Sequence, residues 1–140
     1  MTRTLFLDAD VILDLMAMRE PWFINSAKIF SLIQSGHYKG ATSVVVFANI
    51  FYILRKLNGS DEARNTLHKL KSLLTVLPTS EASLEQALNS TFKDFEDGIQ
   101  YFTGQNAGAD LLLTRNIKDY KCQDLPVMTP EQFLESIECH

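Results

Sequence analysis

The sequence predicts an α/β chain: a three-layer α/β/α sandwich around a central, mainly parallel sheet of short strands. Three observations carry this expectation. Short apolar runs alternate with longer segments of helical periodicity in the order β-α-α-β-α-α-β-α-α-β-β-α. The apolar runs lack the in-and-out alternation of a half-exposed strand, as expected where helices cover both faces. At 140 residues, 46% apolar and 21% charged, the chain can fill one ordinary core. No repeat, linker or low-complexity stretch divides it, so residues 1–140 are read as a single domain.

The elements follow in order. "TLFLD" is a short buried strand, and "VILDLMAM" is a turn of helix leaving its carboxyl end. In "REPWFINSAKIFSLIQSG", Pro21 suits a first helical position, Trp22, Ser26, Ile29, Phe30 and Ile33 share one face, and Gly36 is a stop. "YKGATS" is a second strand whose Ser43 can cap the long helix "VVVFANIFYILRKLN", which ends near Asn58 and Gly59. "SDEARNTLHKLKSLL" opens on a Ser60/Asp61 cap and carries a leucine stripe, and Pro78 closes the third strand "TVLP". "TSEASLEQALNS" and "FKDFEDGIQYFTGQNAGA" are two helices, the second stopping at Gly108. "DLLLT" and "PVMT" are the last strands, and Thr129 caps the closing helix "PEQFLESIE", with Pro130 at its first position.

The bulk properties exclude several classes. A formal net charge of -4 argues against binding nucleic acid through a broad basic field. Cys122 and Cys139 have no metal-ligand spacing and read as reduced thiols of a cytoplasmic chain. The three histidines, His37, His68 and His140, form no i, i+4 pair, which excludes a helical zinc motif. No segment approaches the ~20 apolar residues of a membrane span, and Asp8 and Asp10 interrupt the only apolar run near the N-terminus.

In a doubly covered parallel sheet, ligands bind outside the carboxyl ends of the strands, where strand order reverses. Three acidic features converge on such ends. Asp8 and Asp10 follow the first strand, Asp94 and Asp97 lie three apart on the helix that feeds the fourth, and Asp119 follows the fourth by one short turn. Glu96 points elsewhere, and Asp14 and Glu96 read as solvated or paired surface acids. A set of carboxylates without histidine or cysteine suits Mg2+ or Mn2+, which take hard oxygen ligands and share them with substrate phosphate. One ion, or two about 3.5–4 Å apart, can activate water and steady a leaving oxygen in phosphodiester hydrolysis. Arg115, Lys118, Arg55 and Lys56 are the basic candidates for contacting the phosphates of such a substrate, Arg115 foremost because its turn adjoins Asp119.

Over almost its whole length the chain resembles the PIN domain family. The matching pieces are "LFLDADVILDLM" with "REP", "TSVVVFANIFYILRK", "DFEDGIQYFTGQNAGAD", "LLLTRNIKDY" and "VMTPEQFLE". The resemblance implies a metal-dependent ribonuclease, many prokaryotic members being toxins of toxin-antitoxin pairs, with an antitoxin partner and a homodimer as further expectations. It makes Asp8, Asp97 and Asp119 the metal ligands, with Asn116 beside Asp119 in the "TRN" turn and Asp10 where the family often has asparagine.

The departure is Asn49, which stands where many members carry glutamate. It keeps an oxygen but drops a charge, which predicts weaker metal affinity unless Asp10, Asp14 or Asp94 compensates, and leaves open a degenerate fold acting as a binding module. Asn49, Tyr52 and Lys56 form a polar stripe read two ways: facing the site, or one buried asparagine flanked by residues reaching outward. The rival enzyme is a haloacid dehalogenase-like phosphatase, in which Asp8 would attack phosphorus and Asp10 would act as acid and base. Against it, "VI" replaces the expected Gly-Thr after Asp10, no strand precedes "DFEDG", and "TRNIKDY" has no role there.

Overall fold

The computed structural model describes residues 2–120 and 124–138. Cys122, Cys139 and His140 lie outside them. Five strands form one parallel sheet: β1 (Thr4–Leu7), β2 (Lys39–Ser43), β3 (Thr75–Leu77), β4 (Leu111–Leu113) and β5 (Val127–Met128), in the order β3-β2-β1-β4-β5. Among the described residues seven helices connect and flank them: α1 (Ala9–Met16), α2 (Phe23–Gln34), α3 (Val44–Asn58), α4 (Ser60–Leu73), α5 (Glu81–Leu88), α6 (Phe95–Asn106) and α7 (Pro130–Glu138). A 3₁₀ turn, Ile117–Asp119, follows β4. The element order and layering match the sequence expectation. No helix among the described residues is long and apolar enough to cross a membrane.

Both faces of β1 are buried, and its side chains alternate between two cores. Leu5 and Leu7 join residues of α1 to α4 and α7 on one face, while Phe6 meets Tyr101, Leu112, Tyr120 and Leu125 on the other. Gly104 lets α6 lie close to that second face, since a Cβ there would come within 3.3 Å of the Phe6 ring. Asp97 is seven residues, or about two turns, before Gly104 and so shares the face of α6 that approaches β1.

The chain steps from β1 outward to β2 and β3, then returns to place β4 on the opposite side of β1. The reversal of strand order therefore falls between β1 and β4. Their register pairs Leu7 with Leu113, and the Asp8 N–H donates to the Leu113 carbonyl at 3.0 Å. Asp8 and Thr114 are thus forced side by side at the two carboxyl ends.

Caps fix the helix starts. Ser43 caps α3 by accepting from the Val46 N–H (3.1 Å) and donates to the Gln100 Oε1 of α6 at 2.6 Å, all of it buried. Thr129 and Gln132 bond reciprocally, each accepting from the other's N–H at 3.0 Å, which closes a capping box on α7. Two expected starts differ. Pro21 precedes α2, which begins at Phe23, so the predicted face loses Trp22 to a half-exposed position. The start of α4 is capped by Gly59 rather than Ser60 or Asp61: at φ +89 it both ends α3 and turns into α4, a conformation glycine adopts at little cost.

Ser43→Ala removes a cap and strands a buried acceptor on Gln100. It should cost about 2–3 kcal/mol in urea unfolding. Adding Gln100→Met should recover part of that loss, because the acceptor goes with its donor.

Candidate metal centre

The site is built from the strand ends upward. Asp8 leaves β1 in an extended conformation and caps α1, its Oδ1 accepting from the Ala9 N–H at 2.8 Å. Its Oδ2 accepts from the Thr114 hydroxyl (3.0 Å) and the Tyr120 hydroxyl (2.9 Å). Asp10, in the first turn of α1, reaches the same turn after β4. Its Oδ2 accepts from the Arg115 N–H at 3.0 Å and lies 3.2 Å from the Thr114 hydroxyl and 3.5 Å from the Asn116 amide. The other oxygen, Oδ1, is buried without a hydrogen-bond partner among the described residues.

Asp97 joins them through Tyr120, whose hydroxyl lies 3.3 Å from Asp97 Oδ1. Each hydroxyl has one proton and two carboxylates to serve: Thr114 between Asp8 and Asp10, Tyr120 between Asp8 and Asp97. With every acid ionised, one contact at each hydroxyl has no hydrogen in it. The acidities reflect this crowding. Burial, and then the charge of Asp8, push Asp10 up to about 6, with Arg115 acting against them. Burial, then the charges of Asp8 and Asp94, push Asp97 up to about 7, and Asp119 adds to the same effect. Burial raises Asp8 as well, opposed by the Tyr120, Ala9 and Thr114 hydrogen bonds. Tyr120 is held far above the usual phenol range by burial and by the Asp8 and Asp97 charges, so it remains a proton donor.

The outer site is a cleft of about 390 Å³ lined by Phe92, Lys93, Asp94, Asp97, Lys118 and Asp119. Asp94 caps α6, its Oδ1 accepting from the Asp97 N–H at 3.2 Å, and that cap holds Asp97 at the cleft wall. Asp119 ends the 3₁₀ turn and is exposed. Asn116 is exposed beside Asp10. The structure therefore brings Asp8, Asp10, Asp97, Asp94, Asp119 and Asn116 to one end of the sheet. Asn49 does not join the hydrogen-bonded acids: its amide donates to Glu96 Oε2 at 3.0 Å. Of the basic candidates only Lys118 lines the cleft. Arg55 stacks over Tyr52, with Cζ 5.3 Å from the ring centroid, and Lys56 is exposed on the same helix, α3.

One expectation is corrected. Asp14 is not a surface acid: it is fully buried, and its ion pairs are to Arg19 Nε at 3.0 Å and Arg115 Nε at 2.8 Å. Glu96 is exposed and accepts from the Asn49 amide. Sequence reasoning missed Tyr120 and gave Thr114 only a place at a strand end. A tyrosine closing "TRNIKDY" is the one signal that could have found the first, and nothing local marks it as the bridge between two acids.

Among the described residues, no three acidic, histidine or cysteine side chains stand close enough together to ligate one ion as they are. The donor set nevertheless fits a hard divalent cation. It is all oxygen, Asp10 keeps an unpartnered buried oxygen, and among the described residues no Lys or Arg is ion-paired with Asp8, Asp10 or Asp97.

With this geometry in hand, known proteins were compared. Ribonuclease VapC1 of Aquifex aeolicus (strain VF5) is 27% identical over 135 residues, 93% of this chain and 92% of that protein. The structure of VapBC-1 from nontypeable Haemophilus influenzae superposes with a TM-score of 0.70 at 18% identity, covering 91% of this chain and 98% of that one. A toxin-antitoxin complex from Klebsiella pneumoniae gives 0.67 at 21% identity, covering 89% and 96%. The family model described as PIN domain matches residues 4–118, which takes in every element from β1 to β4 and the turn holding Asn116. The chain belongs to the PIN domain family.

Proposed function

We infer that the chain is a divalent-metal-dependent endoribonuclease and the toxin of a toxin-antitoxin pair. The observation that carries the chemistry is the proton-poor cluster of Asp8, Asp10 and Asp97 at the junction of β1 and β4, without a cationic side chain paired to those three acids among the described residues. Asp8, Asp97 and Asp119 would hold Mg2+ or Mn2+, with Asp10, Asp94 and Asn116 as further oxygen donors and Asn49 acting through Glu96. When bound, the ion would supply a water acidic enough to attack a phosphodiester and charge to steady the leaving oxygen. Thr114 and Tyr120 orient Asp8, and Lys93 and Lys118 at the cleft rim suit the RNA phosphates on either side.

The biological reading is supported by the likeness to a ribonuclease and to structures of VapBC-1 and a toxin-antitoxin complex. A protein partner also suits α3, which leaves Val44, Tyr52, Ile53 and Leu57 exposed beside a groove of about 430 Å³ floored by Phe47, Phe51 and Leu67.

Incubated with single-stranded RNA and Mg2+ or Mn2+, the chain should leave 5′-phosphate and 3′-hydroxyl ends. Asp8→Asn should lower the rate by about 100-fold or more, as loss of a ligand or its charge does in metal sites. Cleavage that survives the substitution would overturn the assignment. Hydrolysis of a small phosphomonoester would favour the phosphatase, and magnesium binding without any turnover would favour the degenerate binding module.

A second outcome concerns stability. Asp97 rises from an ordinary 3.8 to about 7 and Asp10 to about 6, so between those values the folded chain binds more protons than the unfolded one. Metal-free stability should therefore fall as pH rises from about 4 to about 7 and level off above. Asp97→Asn should match the wild type at pH 4 and exceed it at pH 8 in urea unfolding with chelator. Mg2+ should restore the wild type at pH 8 and do less for the variant.

A further inference from the structure

Arg115 stands in the turn after β4, and its surroundings do not suit contact with RNA. Its side chain is 23% exposed. Nε lies 2.8 Å from Asp14 Oδ2, and a terminal nitrogen donates to Asp14 Oδ1 at 3.2 Å. The guanidinium carbon sits 3.8 Å from the centre of the Trp22 ring. A terminal nitrogen is hydrogen-bonded to a buried carboxylate, Nε is ion-paired with the same group without a hydrogen bond, and one face lies on an indole. A phosphate that took the same edge would break a buried pair and leave Asp14 to Arg19 alone.

The backbone of the same residue meanwhile serves the acids. The Arg115 N–H donates to Asp10 Oδ2, and its neighbours Thr114 and Asn116 carry further donors to Asp8 and Asp10. Arg19 completes the frame from α1's side. Its Nε donates to Asp14 Oδ1, and a terminal nitrogen reaches the Asp10 carbonyl at 3.4 Å. Asp14 thus ties the end of α1 to the turn after β4, one helical turn beyond Asp10 on the same helix.

We propose that Arg115 is a positioning residue: anchored on Asp14 and Trp22, it fixes the Thr114–Asn116 turn so that the donors of that turn meet Asp8 and Asp10. The consequence for metal binding and cleavage rests on the nuclease reading above; the anchoring of the turn does not. Arg115→Lys is the main variant, because it keeps the charge and loses the fork and the stack, and Arg115→Ala accompanies it.

Three measurements decide the matter. Amide hydrogen exchange at residue 115, without metal, should be slow in the wild type and about 10-fold faster or more in Arg115→Lys, as a loosened turn opens more often. Calorimetric Mg2+ affinity should fall about 10-fold or more, the usual effect of losing a group that orients metal ligands. On RNA, kcat should fall with KM nearly unchanged. An RNA contact would give the opposite pattern: Arg115→Lys close to wild type, Arg115→Ala raising KM, and exchange and Mg2+ affinity unmoved. That result would overturn the proposal. A wild type that neither binds Mg2+ nor cuts RNA would sink the nuclease reading alone, and the exchange rates would still decide whether Arg115 anchors the turn.

Discussion

The constraint on which the site depends is the burial of a carboxylate at the end of the central strand with too few protons around it. β1 is covered on both faces, so the chain cannot deliver Asp8 to open water without leaving the sheet. It delivers the side chain instead to two hydroxyls, each of which is already claimed by a second acid. A buried charge needs hydrogen bonds or a counter-charge, and here the hydrogen bonds fall one short at each hydroxyl. Burial raises all three acids, and the charge of Asp8 adds to the rise of Asp10 and Asp97. The shortage defines what the pocket lacks, which is positive charge of small size and hard character.

The molecule has arginines close enough to meet that need and uses them elsewhere. Arg115 and Arg19 both converge on Asp14, none of the three lines the cleft, and Trp22 covers one of the arginines. Charge is thereby sorted. Two cations and one anion form a cluster on Asp14, and among the described residues Asp8, Asp10 and Asp97 have no ion-paired side chain of opposite sign. Had Arg115 swung forward onto Asp10, it would have lowered the acid's pKa further and neutralised the place where an ion can bind. Asp14 holds it back. The sorting also qualifies the net charge of -4: Asp8, Asp10, Asp94, Asp97 and Asp119 gather at one end of the sheet, with Lys93 and Lys118 among the cleft lining.

Much of this was legible in the sequence, for identifiable reasons. Element order follows from local periodicity, and Asp8 is marked by an apolar run that ends on an acid at a strand's carboxyl end, with further acids converging on the same end of the sheet. Asp97 is marked by its cap, Asp94. What was not legible are pairings that depend on which face an element presents. Tyr120 and Asp8 are 112 residues apart, and Arg115 and Asp14 are 101 apart. Asp14 read as a surface acid because "VILDLM" gives no sign that its one polar residue turns inward. Pro21 suits a helix start and would put Trp22 on the core face, whereas the chain begins α2 two residues later and leaves the indole to lie over Arg115.

Asn49 shows how one such pairing changes the meaning of a departure from family pattern. Taken from sequence alone, an amide at a usual glutamate position subtracts one charge from the site. In the fold, that amide is a donor, and it is used on Glu96, one residue before Asp97 in the first turn of α6. A glutamate at 49 would set two carboxylates about where one amide–carboxylate bond now stands, and Glu96 would have to move away. The neutral residue is therefore what permits an acid at 96 to approach α3. Asp94, Glu96 and Asp97 together make the start of α6 strongly acidic, where the helix dipole favours such charge. The charge absent from one helix is carried on the next, so Asn49 by itself does not make the acidic end of the sheet poor in carboxylates.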